Sequence, residues 1–119
     1  MARFALVRGW LECSYEEVGH IRDIVSGHWR LSSQYGLAPE TADLYRAGWA
    51  FPSSPINWIS LVFFGANVDE KAVDFIFDCI SKIADSDIEV GGLFHIDDEG
   101  GENLRLWSIR NGVLLNCSR

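Results

Sequence analysis

The residues able to do chemistry are unevenly spread along the chain. From Asp69 to Glu102 there are eleven carboxylates against only Lys71 and Lys82, a local charge of −9. The first 68 residues carry −1 and the last 17 carry +3, so the net charge of −7 is concentrated in one segment. One use of such density is cation binding, but Asp97, Asp98, Glu99 and Glu102 around Gly100-Gly101 lack the alternating Asp spacing and distal Glu of a calcium loop. His20, His28 and His95 fall in different predicted elements and show no HxxxH or CxxH spacing, so no metal site is expected. Cys13, Cys79 and Cys117 are an odd number without a CxxC pair, which argues against a disulfide framework or a zinc ribbon. His95 precedes two carboxylates, and Cys13 or Cys117 could supply a thiolate, which keeps an enzyme as a rival reading. There is no GxGxxG and no GxxxxGK[ST], so neither nucleotide nor any other cofactor is expected. What remains for the carboxylates is an acidic surface. Glu70, Asp74 and Asp78 on a helix, with Asp97, Asp98, Glu99 and Glu102 on a hairpin, would meet a basic partner. The same charges also suit an ordinary solvated helix face.

A second concentration is aromatic. Gly48-Trp-Ala-Phe-Pro-Ser-Ser-Pro-Ile-Asn-Trp58 sets three large rings and two prolines in eleven residues. Trp49 and Trp58 could pack in the core of a small domain, or stand at the surface as interface anchors, where Trp is enriched.

These residues need elements to place them. Residues from about 3 to 13 alternate loosely and read as a strand. Ser14-Tyr-Glu-Glu17 has the spacing of a capping box, and Val18, Ile21, Ile24 and Val25 then form the buried stripe of a helix ending near Gly27. Residues 28–43 are aperiodic and read as a loop with at most one helical turn. Residues 44–51 and 58–64 read as two strands around the Pro52–Pro55 turn. Asn67 is placed to cap a second helix, in which Ala72, Phe75, Ile76, Cys79, Ile80 and Ile83 share a face and Cys79 is a small core hydrophobe. Strands follow near 88–96, 104–109 and 113–115, the last pair joined by an Asn111-Gly112 turn. Gly91-Gly92 inside a strand pattern marks a bulge or a close backbone approach. The order β-α-β-β-α-β plus a C-terminal hairpin strand predicts an α+β domain of ferredoxin-like, or plait, type. Two helices would lie on one face of an antiparallel sheet.

The 119 residues give one domain, 1–119, and 48% hydrophobic content excludes a disordered chain. A sequence pI near 4.8 argues against direct nucleic-acid binding, which rests on clustered Lys and Arg. Neither a signal peptide nor a membrane span is readable, so a cytoplasmic protein away from the membrane is expected. The count of subunits stays open between monomer and dimer.

Several segments together carry a resemblance. Arg8-Gly-Trp-Leu-Glu-Cys13, the Gly48–Trp58 turn, Phe63-Phe-Gly65 before the acidic helix, and Gly92-Leu-Phe-His-Ile-Asp-Asp-Glu99 resemble small bacterial immunity proteins, the antidotes of polymorphic and contact-dependent growth-inhibition toxins. The resemblance runs over most of the chain. It implies a non-enzymatic cytoplasmic protein that binds one cognate toxin domain, blocking its active site or substrate surface. Many such toxins are basic nucleases, which would suit an acidic surface. No catalytic residues carry over, and the interface is assigned from charge alone. The alternative in a different class is a small-molecule-binding sensor domain of plait type.

Overall fold

A computed structural model describes residues 3–101 and 104–118 of the chain. Its elements are β1 (Phe4–Cys13), α1 (Val18–Trp29), α2 (Pro39–Arg46), β2 (Trp49–Ala50), β3 (Ser60–Asp69), α3 (Val73–Asp85), β4 (Gly91–Asp98), β5 (Leu104–Arg110) and β6 (Val113–Ser118). The strands form one open antiparallel sheet in the order β2-β3-β1-β4-β5-β6, so the fold is α+β.

Central strand β1 pairs along its whole length with β3, from Phe4↔Asp69 to Cys13↔Ser60, and with β4 from Ala5↔Asp98 to Glu12↔Gly91. Side chains alternate across a strand, so this register fixes two faces. On the inner face Ala5, Val7 and Leu11 meet Val62, Phe64, Phe94 and Ile96, all buried. The helices cover this side, and α3 presents Phe75, Ile76, Cys79, Ile80 and Ile83 to it, as the helical spacing predicts.

An aromatic cluster ties the helices to the sheet. Trp29 contacts Phe75 at 4.7 Å between centroids and Trp49 at 6.2 Å, and Trp49 contacts Phe64 at 4.8 Å. The Trp29 indole N–H donates to the Ala42 carbonyl at 2.8 Å, fastening α1 to α2. His28 stacks on Phe75 at 4.5 Å and shares a 2.7 Å hydrogen bond between Nε2 and the Phe75 carbonyl.

Several local expectations are corrected. There are three helices among the described residues, not two, because residues 39–46 form α2 where a loop and the start of a strand were expected. Pro39 is preorganised for a first helical turn, and Ala42 and Tyr45 are buried three residues apart, a helical spacing. The second strand is reduced to Trp49–Ala50. The Ser14 hydroxyl makes no capping bond, and α1 runs past Gly27 to Trp29, held by the burial of His28 and Trp29. Asn67 stays in β3, and Asp69 instead accepts from the Lys71 N–H at 2.9 Å. By contrast, Asn111 and Gly112 both have positive φ, 53° and 75°, as a two-residue hairpin turn requires.

Gly92 is a point of close approach, since a Cβ there would lie 2.5 Å from the Trp10 carbonyl oxygen, whereas a Cβ at Gly19 in α1 meets nothing within 4 Å. Gly92→Ala is therefore expected to lower stability by about 1–3 kcal/mol, and Gly19→Ala to raise it by roughly 0.5–1 kcal/mol, read from denaturant midpoints.

His28 is buried, and burial, its largest influence, together with Lys82 pulls its pKa below the usual value, against the opposing Phe75 carbonyl bond and Asp78. The folded chain thus binds a proton less readily than the unfolded chain. Its stability should be level above the free-histidine value of about 6.5 and fall as pH drops below it. Urea midpoints compared at neutral and mildly acidic pH should show this loss, and His28→Gln should diminish it.

Candidate interaction cleft

The sheet has two ends about 30 Å apart, since β1 rises ~3.3 Å per residue. The Phe4 end gathers most of the sequence-predicted acidic set. The Glu70 N–H donates to the Arg3 carbonyl at 2.9 Å and the Glu99 N–H to the Phe4 carbonyl at 3.0 Å, so the β3–α3 junction and the β4–β5 hairpin flank the start of β1. Much of this charge is already matched. Asp97 pairs with Arg8 at 2.8 Å, Asp98 with Arg105 at 3.1 Å, and Glu70 lies 3.7 Å from Arg3. Glu99 also accepts from the Phe4 N–H at 3.3 Å. Asp74 is exposed, whereas Asp78 is half-buried and accepts from the Tyr35 hydroxyl at 2.7 Å. That hydrogen bond, followed by burial, pushes Tyr35 up to about 12. Glu102 lies outside the described residues.

The opposite end holds an open cleft of about 930 Å³. Four carboxylates line it from three segments: Glu12 at the end of β1, Glu17 before α1, and Asp87 and Glu89 between α3 and β4. Among the described residues Arg110 is the one cation in its lining. Glu12 accepts from the Trp10 indole at 3.1 Å, and Glu17 lies 3.7 Å from His20. Among the described residues neither Asp87 nor Glu89 has an ion-pair partner. Trp58, 84% exposed, and Ile59 are the exposed apolar residues of the same cleft, over the buried Ile88, Val90 and Ile109. Asp87 and Glu89 belong to the acid-rich 69–102 segment, but Glu12 and Glu17 lie far from it in sequence, so charge density gave no signal that the four would meet.

Of the two proposed anchors, the structure separates core from surface. Trp49 is buried against Trp29, Phe64 and Phe51, and it meets a partner only if that cluster is rebuilt. Trp58 stands free because the Pro52–Pro55 segment carries the chain away from the core before β3 begins. Tyr15 pins this segment through a 2.9 Å bond from its hydroxyl to the Ser53 carbonyl.

Chemistry at the cleft is limited by what the groups are. Among the described residues no three His, Cys, Asp or Glu side chains form a group able to hold a metal ion. Cys13 lines the cleft but is buried, and burial, then Glu17, raises its thiol pKa, which disfavours the nucleophilic thiolate. His95 is half-buried on the outer face of β4, away from this cleft, and lines a small depression with Arg8 and Asp97. No described helix is long and apolar enough to cross a membrane. No protein family, curated protein or solved structure matches the chain.

The three thiols differ sharply in access. Cys117 is exposed, Cys13 is buried, and Cys79 is buried with its pKa pushed up to about 12. A thiol reagent should therefore modify Cys117 in the native chain, with Cys13 and Cys79 reacting only on unfolding, as mass spectrometry of the modified peptides would show.

Proposed function

We propose that the chain is a bacterial immunity protein that captures a basic toxin domain, such as a nuclease, and blocks its active site or substrate surface. The observation that carries this reading is the cleft, where four carboxylates from three segments surround an exposed Trp58. Unmatched carboxylates steer a basic partner and set its orientation, and an exposed tryptophan beside them supplies the desolvated anchor that most tight interfaces need. The Phe4 end offers less, because arginines of the chain itself already occupy several of its carboxylates. The resemblance of the Arg8–Cys13, Gly48–Trp58 and Gly92–Glu99 segments to immunity proteins supports the same class. On this reading the chain works in the cytoplasm, without cofactor or direct nucleic-acid contact. The order β2-β3-β1-β4, antiparallel throughout and with the helices on one side, supports a plait extended by the β5–β6 hairpin.

The test is co-expression with the product of the gene immediately upstream, where this reading expects a toxin domain, followed by affinity measurement. The native chain should neutralise that domain. Asp87→Lys with Glu89→Lys should weaken binding at least 100-fold, about 3 kcal/mol, and flatten its salt dependence. Trp58→Ala should cost about 2 kcal/mol or more. Failure to neutralise, or affinity untouched by these changes, would overturn the reading.

A sensor domain keeps one observation in its favour. An apolar groove of about 410 Å³ lies between the Phe51–Asn57 segment and Leu61 and Phe63 of β3. A small apolar ligand that raises the melting temperature, with Leu61→Lys abolishing the rise, would move the assignment there.

A further inference from the structure

Among the described residues no helix or second sheet lies over the outer face of the sheet. Its side chains form rows across the strands: Phe63, Trp10, Leu93, Ser108 and Leu115 in one, and Arg8, His95, Leu106 and Cys117 in the next. Phe63 is 49% exposed, Leu115 50% and Val113 52%, and Leu6, Leu61 and Leu104 are exposed as well. Five strands at ~4.8 Å spacing span about 24 Å, and six residues of strand span about 20 Å, giving roughly 500 Å² in projection. With the relief of side chains added, this approaches the ~800 Å² that each partner buries in a standard interface. An isolated chain would leave in water a largely apolar face at the upper end of what monomers expose, a size that is often functional.

Charge indicates what covers it. The chain carries −7 overall, yet the paired strands of this face hold Arg8 and Arg110 against Glu12, Asp69 and Asp97, a balance of only −1. Arg8 and Asp97 are paired at 2.8 Å, Glu12 accepts from the Trp10 indole and Asp69 from the Lys71 N–H, so four of the five charges enter an interface already partnered. A basic protein would find little net attraction here. A second copy of the same acidic chain would meet its least repulsive approach here, and a two-fold axis would set each apolar row against an equivalent one. We propose that the chain is a homodimer in which the two outer sheet faces pack together, about 10 Å apart in the manner of stacked sheets.

Sedimentation equilibrium of the full chain over about 1–100 µM tests this, with a dimer reading twice the chain mass of 13.4 kDa. Phe63→Glu and Ser108→Arg change the face without removing a core side chain, and circular dichroism reports whether each folds. Either folded variant should raise the dimer dissociation constant at least 100-fold, while Asp87→Lys in the end cleft leaves it unchanged. In the unaltered chain, alkylation of Cys117, which lies on this face, should slow as concentration rises through the dimerisation range. A native chain that is monomeric throughout the range, or a dimer that persists in both folded variants, would overturn the proposal. So would a Cys117 rate independent of concentration. A monomeric chain whose folded Phe63→Glu variant no longer neutralises the toxin domain would overturn it too, and would assign the face to that partner. Loss of dimerisation with toxin binding intact, or the reverse in the cleft variants, separates this proposal from the function proposed above.

Discussion

The structure depends on the two-sided pairing of β1. Phe4–Cys13 is hydrogen-bonded to β3 on one side and β4 on the other, and its alternation decides which side chains face the helices. Since the helices cover one side only, a residue's parity in β1 decides between complete burial and partial exposure. Val7 and Leu11 are fully buried, while Leu6 on the opposite parity is 41% exposed. The same strand defines the two ends of the molecule. Its first residues lie among Glu70, Asp98 and Glu99, and its last residues open onto the cleft. A one-residue slip would exchange the faces and turn the core outward.

The acidic balance takes on different meanings at these two ends. At the Phe4 end, arginines from β1 and β5 answer the hairpin carboxylates at 2.8 and 3.1 Å, and the field seen by an approaching molecule is correspondingly muted. At the cleft, the carboxylates of Asp87 and Glu89 come from a segment that no described cation reaches. Net charge along the sequence therefore ranks the ends in the opposite order from unmatched charge in space. Association with a basic partner follows the second quantity, because paired charges are largely screened from a distance.

Much of the fold was legible where a single physical signal dominated. The stripe of α3 needs only helical periodicity, and Asn111-Gly112 needs only the steric rule for positive φ. The helix α2 was not legible because it is eight residues long and buries just Ala42 and Tyr45. The exposed Leu44 beside them mimicked the apolar run of a strand. The cleft was illegible for a different reason: Glu12, Glu17, Asp87 and Glu89 are neighbours only through the β1–β4 register and the return of α3 along the sheet. Trp58 was visible as a candidate, yet its separation from Trp49 depended on tertiary packing. Trp49 joins Trp29 and Phe64, and the intervening prolines leave Trp58 outside.

The uneven placement of the tryptophans also gives the molecule a built-in optical probe. Trp29, Trp49 and Trp107 are enclosed in apolar surroundings, Trp10 is half-buried on the outer face with its indole bonded to Glu12, and Trp58 sits in solvent at the mouth of the cleft. Its indole is the one whose emission is most reddened by water and most open to a soluble quencher. Any molecule settling over the cleft would dehydrate that ring first, shifting its emission to the blue while the three enclosed rings kept their spectra. Occupancy of the cleft is thus readable from unlabelled protein, by the colour of its own light.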